Sequence, residues 1–229
     1  MTVVQQILYT RRPERWWALA EVLGFTTPFA PAPEWGEFHA DGVLAVHHAT
    51  PEHAPGAVDV HLLVEDVNAA ASTLSSFDVE RGSMEGVGEM LTVRAASGVA
   101  ISVSAGSAAR SGDVSVQPIW FQQDLAEPRA ILEALGLRAG IASDRGGWVE
   151  LHAEAGRVGL HSGDPGIGLS FETREDLDAL AQRLRDAGFD ASVVDEAFAR
   201  TIRIPDPDGG AEIWINGVQE DLHGYHRES

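Results

Sequence analysis

Cysteine is absent from the 229 residues, which excludes disulfides, thiolate metal sites and cysteine nucleophiles together. Lysine is absent too. All 16 basic side chains are therefore arginines, and Schiff-base chemistry and a Walker-type phosphate lysine are excluded. No apolar run approaches the roughly 18 residues of a membrane span, and the N-terminus lacks the basic and apolar segments of a secretory signal. A cytoplasmic protein with no membrane partner is the expectation. Positive charge is scarce: 16 arginines against 35 acidic residues give a formal charge of −19. Such a field repels phosphate backbones, so no nucleic-acid partner is expected, whereas cationic small molecules are drawn in. Most of the carboxylates read as solvated surface. A glycine-rich phosphate loop after a strand, an HExxH pair and a nucleophile elbow are all missing.

What is present occurs twice. The stretch from Val4 aligns without a gap on the stretch from Val116, setting Gln5 on Gln117, Ile7 on Ile119 and Leu23-Gly24 on Leu135-Gly136, an offset of 112. With one inserted residue, Trp35, Glu37, His39 and His47 meet Trp148, Glu150, His152 and His161. Further on, Phe77-Asp78 meets Phe189-Asp190, and GVAISVSAG near Gly98 meets GGAEIWING near Gly209. The chain is a tandem duplication. Residues 1–106 form the first expected domain and 114–229 the second, joined by a small, polar linker over 107–113.

Each half divides again. The first reads as strand 3–9, helix 14–23 and strands 35–39 and 43–47, then strand 58–64, helix 67–75 and strands 89–93 and 99–103. The second reads as strand 114–121, helix 127–135 and strands 148–152 and 157–161, then strand 167–172, helix 175–187 and strands 201–204 and 212–216. The helix over 175–187 has the clearest pattern: Leu177, Leu180, Ala181 and Leu184 recur at i, i+3, i+4 and i+7, and Gly188 stops it. The result is an α+β arrangement of four modules with helices over one face of mostly antiparallel sheets.

Four βαβββ modules, LGF or LGL closing the first helix of each half, and DPDGGAEIWI in the last module resemble the vicinal oxygen chelate superfamily. That superfamily takes in glyoxalase I, bleomycin-resistance proteins and extradiol dioxygenases. The resemblance covers nearly the whole chain and implies two tandem domains, each with sheets curled into a cup. It defines a scaffold rather than a reaction, since metal enzymes and metal-free binders share it.

Strand alternation then gives the cup-facing residues. Val149, Leu151, Val158 and Leu160 point to the core, which leaves Trp148, Glu150, His152, Arg157, Gly159 and His161 for the second cup. The closing module adds Ser170, Glu172, Glu212 and Trp214, with Gln117 on the opening strand. The first cup receives Gln5, Trp35, Glu37, His39, His47, Asp59 and His61. Trp16, Trp17 and Trp120 read as core aromatics.

Metal enzymes of the superfamily draw ligands from the first and last strands of their modules, typically His, Glu and sometimes Gln. Carried over, those positions fall on Gln117, His161, Gly168 or Ser170, and Trp214, or Glu212 if the register slips by two. In the first half they fall on Gln5, His47, Asp59 or His61, and Ser102. Neither half keeps the full set. Two readings follow. The first is a cofactor-free small-molecule binder, monomeric or homodimeric, whose tryptophans and carboxylates suit a cationic or aromatic antibiotic, as in the resistance proteins. The alternative is a lyase, isomerase or dioxygenase using Zn, Ni, Fe or Mn on Gln117, His161 and Glu212. The second cup, with Trp214 and Glu212 on its closing strand, is the better expected site.

Overall fold

The computed structural model describes residues 1–108, 112–196 and 198–228. Positions 109–111 of the expected linker lie outside the described residues. The first half runs β1 (Thr2–Thr10), α1 (Pro13–Val22), β2 (Trp35–Ala40), β3 (Gly42–His48), β4 (Val58–Val64), α2 (Val67–Thr73), β5 (Asp78–Met84), β6 (Gly88–Arg94) and β7 (Ala100–Ala105). Pro13 opens α1 where its missing N–H costs nothing, and Trp16, Leu19 and Ala20 form the buried stripe. Asp66 caps α2 by accepting from the amides of Asn68 and Ala69. The seven strands make one sheet in the order β2-β3-β1-β4-β7-β6-β5. Val4 and Leu8 of β1 enter the core, whereas Gln5 faces the opposite way beside His61 of β4.

The second half runs β8 (Val114–Val116), β9 (Ile119–Phe121), α3 (Ala126–Ala134), β10 (Arg138–Ser143), β11 (Trp148–His152), β12 (Arg157–His161), β13 (Gly166–Gly168), β14 (Ser170–Thr173), α4 (Leu177–Asp186), β15 (Ser192–Asp195), β16 (Arg200–Ile204), β17 (Ile213–Gly217) and β18 (Tyr225–Arg227). Two sheets result, β13-β9-β12-β11-β10-β18 and β15-β16-β17-β14-β8. In α4 the four expected apolar residues are all buried, and Asp176 caps the helix through the Ala179 amide.

This is the α+β fold expected, with three departures. The strands expected over 114–121 and 167–172 are each cut in two. In the first half β1 and β4 pair without interruption from Thr2 opposite Val64 to Leu8 opposite Val58. Their counterparts pair in pieces, β8 on β14 and β9 on β13, and the pieces belong to different sheets. Pro118 lacks the N–H that a continuous ladder needs. The gap places Gln117 and Ser170 between the two sheets, held by the Gln117 amide donating to the Ser170 carbonyl at 3.0 Å.

Secondly, β5, β10 and β15 are the remaining strands that a βαβββ module implies and β18 is an addition to it; none of the four carries the strong apolar alternation that would give it a range from sequence. The equivalent of β10 in the first module is reduced to isolated bridges, Thr26 with His39 and Ala32 with Trp35. Thirdly, the halves are joined by hydrogen bonds related by the duplication: the Val116 amide donates to the Asp41 carbonyl at 3.0 Å, and the Val4 amide to the Ala155 carbonyl at 2.9 Å. Phe25 of the first half meets Phe171 of the second edge-on at 6.1 Å. Trp16 and Trp120 are fully buried, as core aromatics should be, and Trp17 packs against the same core. Among the described residues no helix is long and apolar enough to cross a membrane.

Candidate functional site

The interrupted ladder opens the second half into a cavity of about 750 Å³, within the size range of small-molecule sites. Its floor is polar and buried: Gln117 follows β8, Glu150 lies on β11, Arg157 on β12, and Ser170 and Glu172 on β14. Asn216 of β17 ties three of the strands together. Its Nδ2 donates to Gln117 Oε1 at 3.4 Å and to Ser170 Oγ at 3.1 Å, while its Oδ1 accepts from Thr201 Oγ1 at 3.0 Å. Gln117 Nε2 in turn donates to Glu150 Oε1 at 3.2 Å.

Beside this neutral knot lies a charged one. Arg157 Nη1 donates to Glu150 Oε1 at 2.9 Å and lies 2.6 Å from Glu172 Oε1. His152 Nε2 is 3.0 Å from Glu150 Oε2. Burial would raise the Glu150 carboxyl, but His152 and Arg157 outweigh it and hold it at about 2. Burial, and after it the neighbouring Glu150 charge, push Glu172 up to about 7 against the pull of Arg157.

Opposite slopes in stability follow. Glu172 keeps a proton that the unfolded chain releases near the ordinary value of 4.5, so its contribution is complete below that pH and is lost as pH rises through about 7. The Glu150 contribution is complete above 4.5 and is lost as pH falls toward 2. Glu172→Gln removes only the first. Relative to the parent protein, the variant should gain on the order of 2 kcal/mol between about pH 5 and about pH 8 in urea unfolding. Parallel curves for the two proteins would show that Glu172 is ionised throughout.

Trp148, Trp214, Phe121 and Ile167 are among the apolar walls. The Arg203 guanidinium covers the Trp214 ring at 4.8 Å, and His161 meets Trp148 edge-on at 6.1 Å. Leu8, Trp16, Pro55 and Gly56 of the first half complete the lining. So does the chain after β17. Having left one sheet, it crosses the cup and adds β18 to β10 at the edge of the other. There Arg129 grips Glu228 with both Nη atoms, and His226 Nδ1 lies 2.8 Å from Asp144. This closing segment escaped the sequence reading because its polar residues show no periodicity.

Gln117, Trp148, Glu150, His152, His161, Glu172 and Trp214 thus line one cavity. The metal set Gln117, His161 and Glu212 lines it too but does not converge on a cation. Gln117 is hydrogen-bonded to Glu150 and Asn216, the exposed His161 ring pairs through Nδ1 with the Ser162 carbonyl at 2.8 Å, and the exposed Glu212 pairs with Arg203. Among the described residues no cluster of three or more His, Asp and Glu could hold a metal ion. The closing-strand residue that hydrogen-bonds Gln117 and Ser170 is Asn216, not Trp214 or Glu212. The floor does hold carboxylates, Glu150 and Glu172, with the His152 imidazole beside Glu150, but both carboxylates are engaged by the Arg157 guanidinium, and a resident cation between the two oxygen donors does not fit a divalent transition metal.

In the first half Gln5 and His61 are buried side by side. Both His61 nitrogens are occupied, Nδ1 by Ser102 Oγ at 2.6 Å and Nε2 by Ser104 Oγ at 2.8 Å, and burial lowers its pKa to about 4. Glu37 and His39 pair as Glu150 and His152 do. Trp35 stacks on Phe29 at 4.8 Å with His47 beyond it at 6.2 Å, and Tyr9 donates to Asp59 at 3.1 Å. By strand pairing Val43 stands in the place of Arg157 and Leu63 in that of Glu172, so the first cup has no charged knot.

No protein-family model matches the chain, and no curated protein sequence does. Solved structures match along nearly its whole length. Catechol 2,3-dioxygenase superposes with a TM-score of 0.64 at 15% identity, over 98% of this chain and 94% of that one. Homoprotocatechuate 2,3-dioxygenase of Brevibacterium fuscum, in its complex with 3,4-dihydroxyphenylacetate, gives 0.60 at 17% over 96% and 81%. The Arthrobacter globiformis enzyme gives 0.60 at 16% over 96% and 80%. The chain has the vicinal oxygen chelate fold of these extradiol dioxygenases.

Proposed function

We propose that the second half binds a planar aromatic small molecule in its cavity without a metal, as a cytoplasmic protein acting alone or as a homodimer. The observation that carries this reading is the floor, where Gln117, Ser170 and Asn216 satisfy one another and a guanidinium stands beside them under aromatic walls. Sequestration of an aromatic antibiotic is one role such a site can serve. The cationic side of that expectation now competes with a resident cation. Replacing Trp148 or Trp214 by Ala should weaken a bound aromatic by about 1–3 kcal/mol, and replacing Trp35 should do less. Calorimetric titration with bleomycin-type glycopeptides and methylglyoxal–glutathione adducts tests this; equal losses at Trp35 and Trp148 would assign function to both cups.

The fold likeness favours the second reading, a metal-dependent dioxygenase, and at the level of fold favours it over binding. The side chains of the floor argue the other way. Protein purified without chelator should carry less than about one tenth of an equivalent of Fe, Mn, Ni or Zn, because an open catalytic site normally needs three protein ligands. It should consume no oxygen with catechol after incubation with Fe(II). Stoichiometric metal, or ring cleavage, would establish the dioxygenase.

A further inference from the structure

A guanidinium carries five N–H donors in one plane, and at Arg157 a single nitrogen does all the bonding. Nη1 serves both Glu150 and Glu172, Nε is buried without a partner, and Nη2 makes no hydrogen bond among the described residues. The unused Nε–Nη2 side is an edge with which arginine can take two oxygens, or one oxygen from two donors. Arg157 is only 6% exposed, yet it lines the cavity. A buried donor without an acceptor is costly, and that cost is relieved when an acceptor arrives.

Charge decides which acceptor. Two buried carboxyl groups already share the one guanidinium, so an anionic ligand would add negative charge to a floor whose resident cation is engaged by both. An ammonium would have to settle beside the resident guanidinium. An uncharged oxygen avoids both, and the walls of Trp148, Phe121 and Trp214 suit a flat ring attached to it.

Resting on the reading of this cavity as an aromatic binding site, we propose that Arg157, held on its Nη1 side by Glu150 and Glu172, offers its Nε–Nη2 edge to the carbonyl oxygen of an uncharged aryl ketone. The feature is particular to the second cup, since Val43 occupies the same place in the first.

The test uses the full chain and three probes of one shape: naphthyl methyl ketone, ethylnaphthalene and protonated naphthylmethylamine, titrated by calorimetry. The ketone should bind about tenfold or more tightly than the hydrocarbon, the margin of a hydrogen bond to a charged donor, and Arg157→Lys, which lacks the planar two-donor edge, should narrow that margin several-fold. Equal binding of ketone and hydrocarbon, or tighter binding of the amine, would overturn the role of Arg157 and leave aromatic binding standing. Failure of all three probes to bind would overturn both. If the lysine variant does not fold, the carbonyl stretching band of the ketone bound to the parent protein decides: a band shifted at least as far from its hexane position as methanol shifts it supports the contact, and a smaller shift overturns it.

Discussion

Arg157→Ala should cost about 3–5 kcal/mol of folding stability near pH 8, the range found when one partner is taken from a buried ion pair. The magnitude follows from what is left behind. Glu150 and Glu172 are each at least nine-tenths buried and converge on the same Nη1, so removing the guanidinium leaves two carboxylates facing each other in a low-dielectric floor. The native protein can answer only by taking up protons. Protonation is cheaper at lower pH, and the deficit should therefore shrink toward about pH 5. Urea unfolding at the two pH values measures it. A loss below about 1 kcal/mol at both would mean that water reaches the floor and that the knot behaves as a surface salt bridge.

The same floor shows how far the sequence can be read. Side-chain parity depends only on the backbone of one strand, and it placed Glu150, His152, Arg157, Ser170 and Glu172 on the cup side without knowledge of any neighbour. Depth along the strand is another matter. Whether Asn216 or Trp214 reaches Gln117 depends on how β17 is registered against β14 and on the break between β8 and β9, and both are set by pairing between strands distant along the chain. Pro118 is visible in the sequence as a ladder breaker, but the apolar pattern from Val114 to Phe121 continues across it. Arg157 was on the correct face and was given no role, because nothing local reveals that two carboxylates from different strands meet on it. The closing segment from β17 to β18 was illegible for a similar reason: its order comes from the Arg129–Glu228 grip and the edge of β10, not from its own pattern.

The duplication itself was fully legible, and its structural consequence sets the second large effect, at Gly42. By strand pairing Gly42 and Gly156 are equivalent positions, as are Val4 and Val116, and the four meet where the halves join. Gly42 has φ +95°, and a Cβ added there would fall 2.3 Å from Val116 Cγ2, 3.0 Å from the Val4 carbonyl oxygen and 3.1 Å from the Gly156 Cα. Gly156, at φ +80°, would put a Cβ 2.8 Å from Val4 Cβ and 2.9 Å from Val116 Cγ2. Each half thus presses a bare turn against the opening strand of the other, in the manner of a twofold interface drawn into one chain. Left-handed backbone costs an alanine roughly 1–2 kcal/mol, and overpacking roughly 1–3 more, so Gly42→Ala should lose about 3 kcal/mol or more. Gly156→Ala should behave alike. The double variant should lose less than the two single losses combined, because both substitutions displace the same valines. Fluorescence and circular dichroism followed through urea should give coincident single transitions for parent and variants, since Val4 and Val116 belong to one core that runs through both halves. Two separated transitions in the parent protein, or a variant as stable as the parent, would show that the halves fold independently and that the junction is soft enough to admit a methyl group.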